Sequence, residues 1–196
     1  MGSRIFSTIL AVASFAAVSP AFSQTAPAAY QGQLPFTIGG GASNMNVDWG
    51  RNRLYGYSIW GDWHPGSLPR LLDGLGVEVE ARDLDFGHGA HITPAFRQDT
   101  LGGGLIYTYR HFAKIRPYGR ALVDFGRLND GTKNPISSLV YAPAMGLEYH
   151  AIHRLWVRAD YEYQIWPNLL GDGRNLDPQG FTLGVSYDFR SLGSFW

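Results

Sequence analysis

Apolar and polar residues alternate in eight stretches of this chain. The clearest is QGFTLGVSYDF, Gln179 to Phe189. Phe181, Leu183, Val185, Tyr187 and Phe189 are interleaved there with Thr182, Gly184, Ser186 and Asp188. A period of two marks a strand with one apolar and one polar face. The same spacing predicts strands over Pro35–Ser43, Arg53–His64, Leu75–Arg82, Asp99–Arg110, Arg116–Arg127, Leu139–His150 and Arg154–Trp166. After Ala81 the pattern inverts, with Leu84 and Phe86 apolar and Asp83 and Asp85 polar. This predicts either a bulge or a strand that has left its apolar surroundings.

The connections alternate too. Those after the first, third, fifth and seventh strands are long and rich in Gly, Asn, Asp and Pro, whereas His111–Ile115 and Ala151–His153 are short. Strands of about 9–12 residues exceed the usual ~5–6 of soluble sheets and suit a tilted crossing of a bilayer. Aromatics gather at both strand ends: Phe36, Trp63, Tyr109, Tyr149, Tyr187 and Phe189 on the turn side, and Tyr55, Phe125, Tyr141, Tyr163 and Phe181 on the loop side. Two such rings fit two membrane interfaces. The pattern predicts an all-β fold, an eight-stranded antiparallel up-and-down transmembrane barrel over residues 35–196. The alternative is a soluble sandwich or barrel, which would bury the apolar face instead.

Composition adds an export route. Arg4, the apolar run Ile5–Val18 and the small residues at Ala21 and Ser23 form a secretory signal over residues 1–23, with cleavage expected between Ser23 and Gln24. Residues 24–34, rich in Ala, Gln and Pro, are expected to be a short flexible segment. The chain has no cysteine, which excludes lipoprotein anchoring and disulfides. Of 16 basic and 16 acidic residues only Arg4 lies in the signal, so the remainder carries a formal charge of −1. That balance offers no basic face for nucleic acid. The slightly negative mean hydropathy fits a barrel whose strands are half polar.

These residues resemble the small bacterial outer-membrane β-barrel proteins, the OmpA/OmpX-like group. The sharpest match is the terminal-strand assembly signal, carried by Thr182, Gly184, Tyr187 and Phe189. The stretch Gly146–Tyr163 looks like the penultimate hairpin of such barrels. Family members usually end on the aromatic, whereas this chain continues through Arg190 to Trp196. The resemblance implies an outer-membrane location, surrounding outer-membrane lipid, and periplasmic chaperones and the barrel-assembly machinery as partners. It also implies roles in envelope integrity or surface contact, with a lipid-modifying enzyme, as some barrels of this fold are, as a further alternative.

Candidate chemistry lies mainly on the polar faces. Asp62, Glu78, Glu80, Asp124, Glu148, Asp160 and Glu162 are predicted to point inward with Arg82, Arg110, Arg120 and Arg158. A barrel of this size is just wide enough for its own side chains, so these charges should form an ion-pair network that plugs the lumen. A narrow path for ions or small solutes is the alternative. Asp160 and Glu162 could in principle act as an acid–base pair. His88 and His91 lack a third metal ligand. Ser58 and His64 lie about 20 Å apart along one strand, and Glu148 and His150 have no serine beside them, so no catalytic triad is expected. Neither a metal nor a cofactor is expected. The triplets Gly39–Gly41 and Gly102–Gly104 sit inside strands and are expected to make room for bulky neighbours, with Trp60 and Trp156 as candidates.

Overall fold

A computed structural model describes residues 36–47, 53–65, 68–69, 72–85, 97–112, 114–129, 135–167, 169 and 175–189. The signal region, residues 24–34, His88, His91 and the extension beyond Phe189 lie outside the described residues. Eight antiparallel strands close on themselves in chain order. They are β1 (Phe36–Asn46), β2 (Arg53–Trp63), β3 (Leu75–Asp85), β4 (Arg97–Thr108), β5 (Ile115–Asn129), β6 (Ile136–Ile152), β7 (Leu155–Tyr163) and β8 (Gln179–Asp188). Among the described residues no helix is long and apolar enough to cross a membrane, and the strands form the whole wall.

Closure is staggered. Pairing can be followed from Leu147 on β6 through Ala159, Leu183, Ala42, Tyr57, Asp83, Asp99 and Arg127. It returns to β6 at Ser137, a shear of ten residues for one circuit. Shear of this kind tilts the strands and sets the bore. It also places residues from distant strands at one height, which decides who meets whom in the lumen. The last strand seals onto the first, and the Phe189 amide donates to the Phe36 carbonyl at 2.9 Å, one residue past β8.

The alternation is obeyed almost throughout. Along β5, Arg116, Tyr118, Arg120, Leu122 and Asp124 are buried, while Ile115, Ala121, Val123 and Phe125 are exposed. Large apolar side chains cover the outside: Met145 is 70% exposed, Leu183 62% and Val79 55%. An outside this apolar is stable against lipid tails and is the reverse of a soluble barrel.

The loop end of β3 departs from the bulge alternative. Its ladders with β2 and β4 run unbroken through Asp85. Leu84 stays inward and buried, and Asp83 still points outward, where Arg97 reaches both Asp83 (2.7 Å) and Asp99 (3.0 Å). The side-chain parity therefore never changes. Both environments change instead. Above the aromatic ring the outside becomes polar and the inside apolar, as in a soluble barrel. Several strands consequently run further towards the loops than the pattern predicts: β1 to Asn46, β5 to Asn129, and β6 from Ile136. By contrast β7 ends at Tyr163, and Ile165 and Trp166 follow as isolated bridges to Tyr141 and Leu176.

Candidate functional site

The lumen is filled in two tiers. The lower tier is charged and begins with Arg158 on β7, which is almost wholly buried. Its Nη2 donates to Glu78 at 2.8 Å, and its Nη1 lies 3.5 Å from Asp62. Its Nε donates to the Tyr118 hydroxyl at 2.7 Å, and that hydroxyl donates in turn to Asp160 at 2.7 Å. The guanidinium also lies over the Tyr118 ring at 4.4 Å and the Trp60 ring at 4.7 Å. One cation thus ties together β2, β3, β5 and β7, which are far apart in sequence.

A second layer is built on Arg120 and Arg82. Arg120 contacts Glu78 and Glu80 through Nη1, and Glu162 (2.7 Å) and Asp160 (3.4 Å) through Nη2. Arg82 grips Glu162 with both terminal nitrogens and also pairs with Glu80. Two-pronged guanidinium–carboxylate contacts give directional as well as Coulombic stabilisation. The layer is topped by amides. Gln164 donates to Glu162 at 2.8 Å, and its Oε1 accepts from Gln98 at 2.6 Å and from the Trp166 indole at 3.0 Å.

The upper tier is apolar. Met45, Val47, Leu54, Leu84, Leu128, Val140, Trp166, Leu169 and Leu176 form one buried cluster at the loop end. Trp166 is fully buried over Gly126, where a Cβ would collide with the indole. This cluster is an oily stopper above the charges. At the turn end, Arg116 stacks over the Trp156 ring at 3.6 Å and lies 3.5 Å from Asp188.

The predicted inward residues are distributed as follows. Asp62, Glu78, Glu80, Arg82, Arg120, Arg158, Asp160 and Glu162 meet in the two charged layers. Glu148 and Asp124 are buried as well and point inward. Arg110 sits elsewhere, in the connection after β4, where Nη1 faces the Asp73 carbonyl at 3.4 Å. The strand has ended at Thr108, two residues earlier than the alternation predicts. Asp160 and Glu162 are both bonded to Arg120 rather than to each other.

Trp60 does lie against Gly39 and Gly184, as the glycine pattern requires, but Trp156 does not explain the other triplet. Gly102 and Gly104 instead face Asp124 and the β5 backbone. Of the terminal-strand residues, Thr182 bonds Ser43 across the β1–β8 seam at 2.9 Å. Gly184 leaves space for the Trp60 ring, and Tyr187 and Phe189 meet edge to face at 4.8 Å.

Sequence reasoning missed Arg116, Tyr118 and Asp188. Arg116 and Tyr118 share the parity of Arg120, and Asp188 that of Gly184, so the alternation carried the signal for all three. The stopper had no such signal, because its residues come from seven separate stretches of chain.

The profile of the outer membrane protein beta-barrel domain family matches residues 9–189. A search of curated proteins found no match. Among solved structures the chain is similar to Neisserial surface protein A (NspA), with TM-score 0.64, 15% identity, and coverage of 81% of this chain and 99% of that one. It is also similar to Ail, the attachment invasion locus protein of Yersinia pestis (TM-score 0.51, 18% identity, 80% and 97% covered). A third is the outer membrane enzyme PagL (TM-score 0.52, 15% identity, 76% and 98% covered). At these identities the likeness is one of fold.

Proposed function

We propose that this chain, which belongs to the outer-membrane protein β-barrel family and resides in the bacterial outer membrane, is a non-enzymatic barrel with a closed lumen that holds its long connections at the cell surface. The observation that supports this most is the two-tier filling. A conducting path would have to break the Arg82–Glu162 and Arg120–carboxylate contacts and then part the stopper around Trp166. Each carboxylate–guanidinium contact is shielded from water, where breaking one partner costs several kcal/mol. The same filling makes the cylinder a stiff support for surface contact.

In this reading the N-terminal signal delivers the chain to the periplasm. Chaperones and the assembly machinery then recognise the terminal strand through Thr182, Gly184, Tyr187 and Phe189. Planar-bilayer recording tests the closed lumen. The full chain should insert without discrete conductance steps. Stable single-channel steps that change in Glu80→Ala would replace this reading with that of a narrow solute channel.

The likeness to the outer membrane enzyme PagL favours a second reading, an enzyme, and the barrel resemblance makes it a lipid-modifying one. Among the described residues no outward-facing strand position carries a histidine that could serve as a base there. Incubation with lipopolysaccharide should leave its acyl chains unchanged. Loss or gain of an acyl chain would establish the enzymatic reading instead.

A further inference from the structure

Charge inside the barrel does not balance. The seven predicted carboxylates are buried, Asp188 is an eighth, and four guanidiniums are buried with them: Arg82, Arg116, Arg120 and Arg158. Among the described residues, counting the buried His64 and the half-buried Arg110 as cations still leaves two negative charges over. An isolated ionised carboxylate out of water is too costly to persist and acquires a compensating charge.

Part of the excess lies at Asp124. Its carboxylate is 5% exposed, and Oδ1 has no hydrogen-bond partner. The charged groups facing it are Glu80 and Arg82 from β3, Glu162 from β7, and Arg120 from its own strand. Both guanidiniums are engaged elsewhere, Arg82 by Glu162 and Glu80, and Arg120 by Glu78, Glu80, Asp160 and Glu162. From β4 there is only Gly102, whose missing side chain makes the space that Oδ1 occupies. From β6 the cross-strand partner is Val140, part of the stopper. A lone carboxylate therefore lies at the boundary between the charged and oily tiers, with two further carboxylates beside it.

We propose that Asp124 is a binding site for a single positive charge, a proton or an alkali cation, taken up as the barrel closes. Either source supplies the charge without the converging ligands of a chelated metal, and among the described residues no three acidic or histidine side chains converge in that way. The inference stands apart from whatever the surface connections contact.

The test compares the full chain with Asp124→Asn and Glu162→Gln, refolded into lipid vesicles and unfolded in urea. Asp124→Asn keeps the shape and removes the need for compensation, so it should fold at least as stably as the parent. Glu162→Gln takes one carboxylate partner from each of two buried guanidiniums, Arg82 and Arg120, and should be clearly less stable. If the charge is a proton, the folded state holds one proton more than the unfolded chain. The folding constant of the parent should then fall by up to about tenfold per pH unit on raising the pH, relative to Asp124→Asn. If it is an alkali cation, replacing potassium by tetramethylammonium at constant ionic strength should weaken the parent, and not the variant, in proportion to the cation removed. Asp124→Asn as damaging as Glu162→Gln, or pH and cation responses identical to the parent's, would overturn the proposal. Should Asp124→Asn not fold, the parent decides alone: folding insensitive to both pH and alkali cation would overturn it.

Discussion

Replacing Arg158 by methionine removes a charge while keeping most of the aliphatic volume. The guanidinium faces Glu78 at 2.8 Å, Asp62 and Asp160 at 3.5 Å, and the Tyr118 hydroxyl at 2.7 Å, with almost no solvent around it. Without it, Asp62 loses its cation, and Glu78 and Asp160 keep only Arg120, all in a low-dielectric space. Removing one member of a buried ion pair costs about 3–5 kcal/mol, and lost cation–π contact with Tyr118 and Trp60 adds about 0.5–2 kcal/mol. Arg158→Met should therefore destabilise the barrel by about 3–5 kcal/mol or slightly more. The cost comes from the orphaned carboxylates, so adding Glu78→Gln should recover part of it, and the double variant should be more stable than the two single effects predict when summed. The measurement is reversible urea unfolding in lipid vesicles, followed by the unboiled gel mobility of the folded form. A loss below about 1 kcal/mol, or strictly additive behaviour with Glu78→Gln, would refute the view that this network is tightly coupled and dry.

The facing assignment gives a contrasted pair. Val79→Arg, on the lipid side within the apolar band, should cost about 2–4 kcal/mol, whereas Asp83→Arg, four residues further along the same face but at the polar rim, should cost about 0–1 kcal/mol; equal costs in vesicle folding would disprove the boundary between them. Leu84→Ala should cost about 2–5 kcal/mol, although the residue lies between two aspartates, because it is fully buried in the stopper; a neutral result in the same urea titration would remove the stopper from the description. Gly39→Ala should lower stability and shift the Trp60 near-ultraviolet dichroism, since a Cβ there collides with the indole; an unchanged spectrum would mean that the ring does not rest on that wall.

Much of this architecture could be read directly from the chain. Period-two alternation is a local property, because successive side chains on a strand point to opposite faces. It therefore revealed the strand count, the outward Leu, Val and Tyr positions, and the inward placement of Glu78, Arg120, Arg158 and Glu162. Alternation failed where the surroundings changed sides. At Leu84 the unbroken parity mimicked a slip, because lipid outside and charge inside give way together to polar surroundings outside and an oily interior. Arg110 lies in the connection after β4 because its strand stops two residues earlier than the pattern implied.

Tertiary structure alone decided the partners. Which carboxylate meets Arg158, and why Asp124 meets no guanidinium, depend on the shear, which raises each strand relative to its neighbour and brings β2, β3, β5 and β7 to common heights across the bore. Local sequence encodes only which way a side chain points. Its height in a closed cylinder is set by the summed register of every strand in the ring, and no single segment contains that sum.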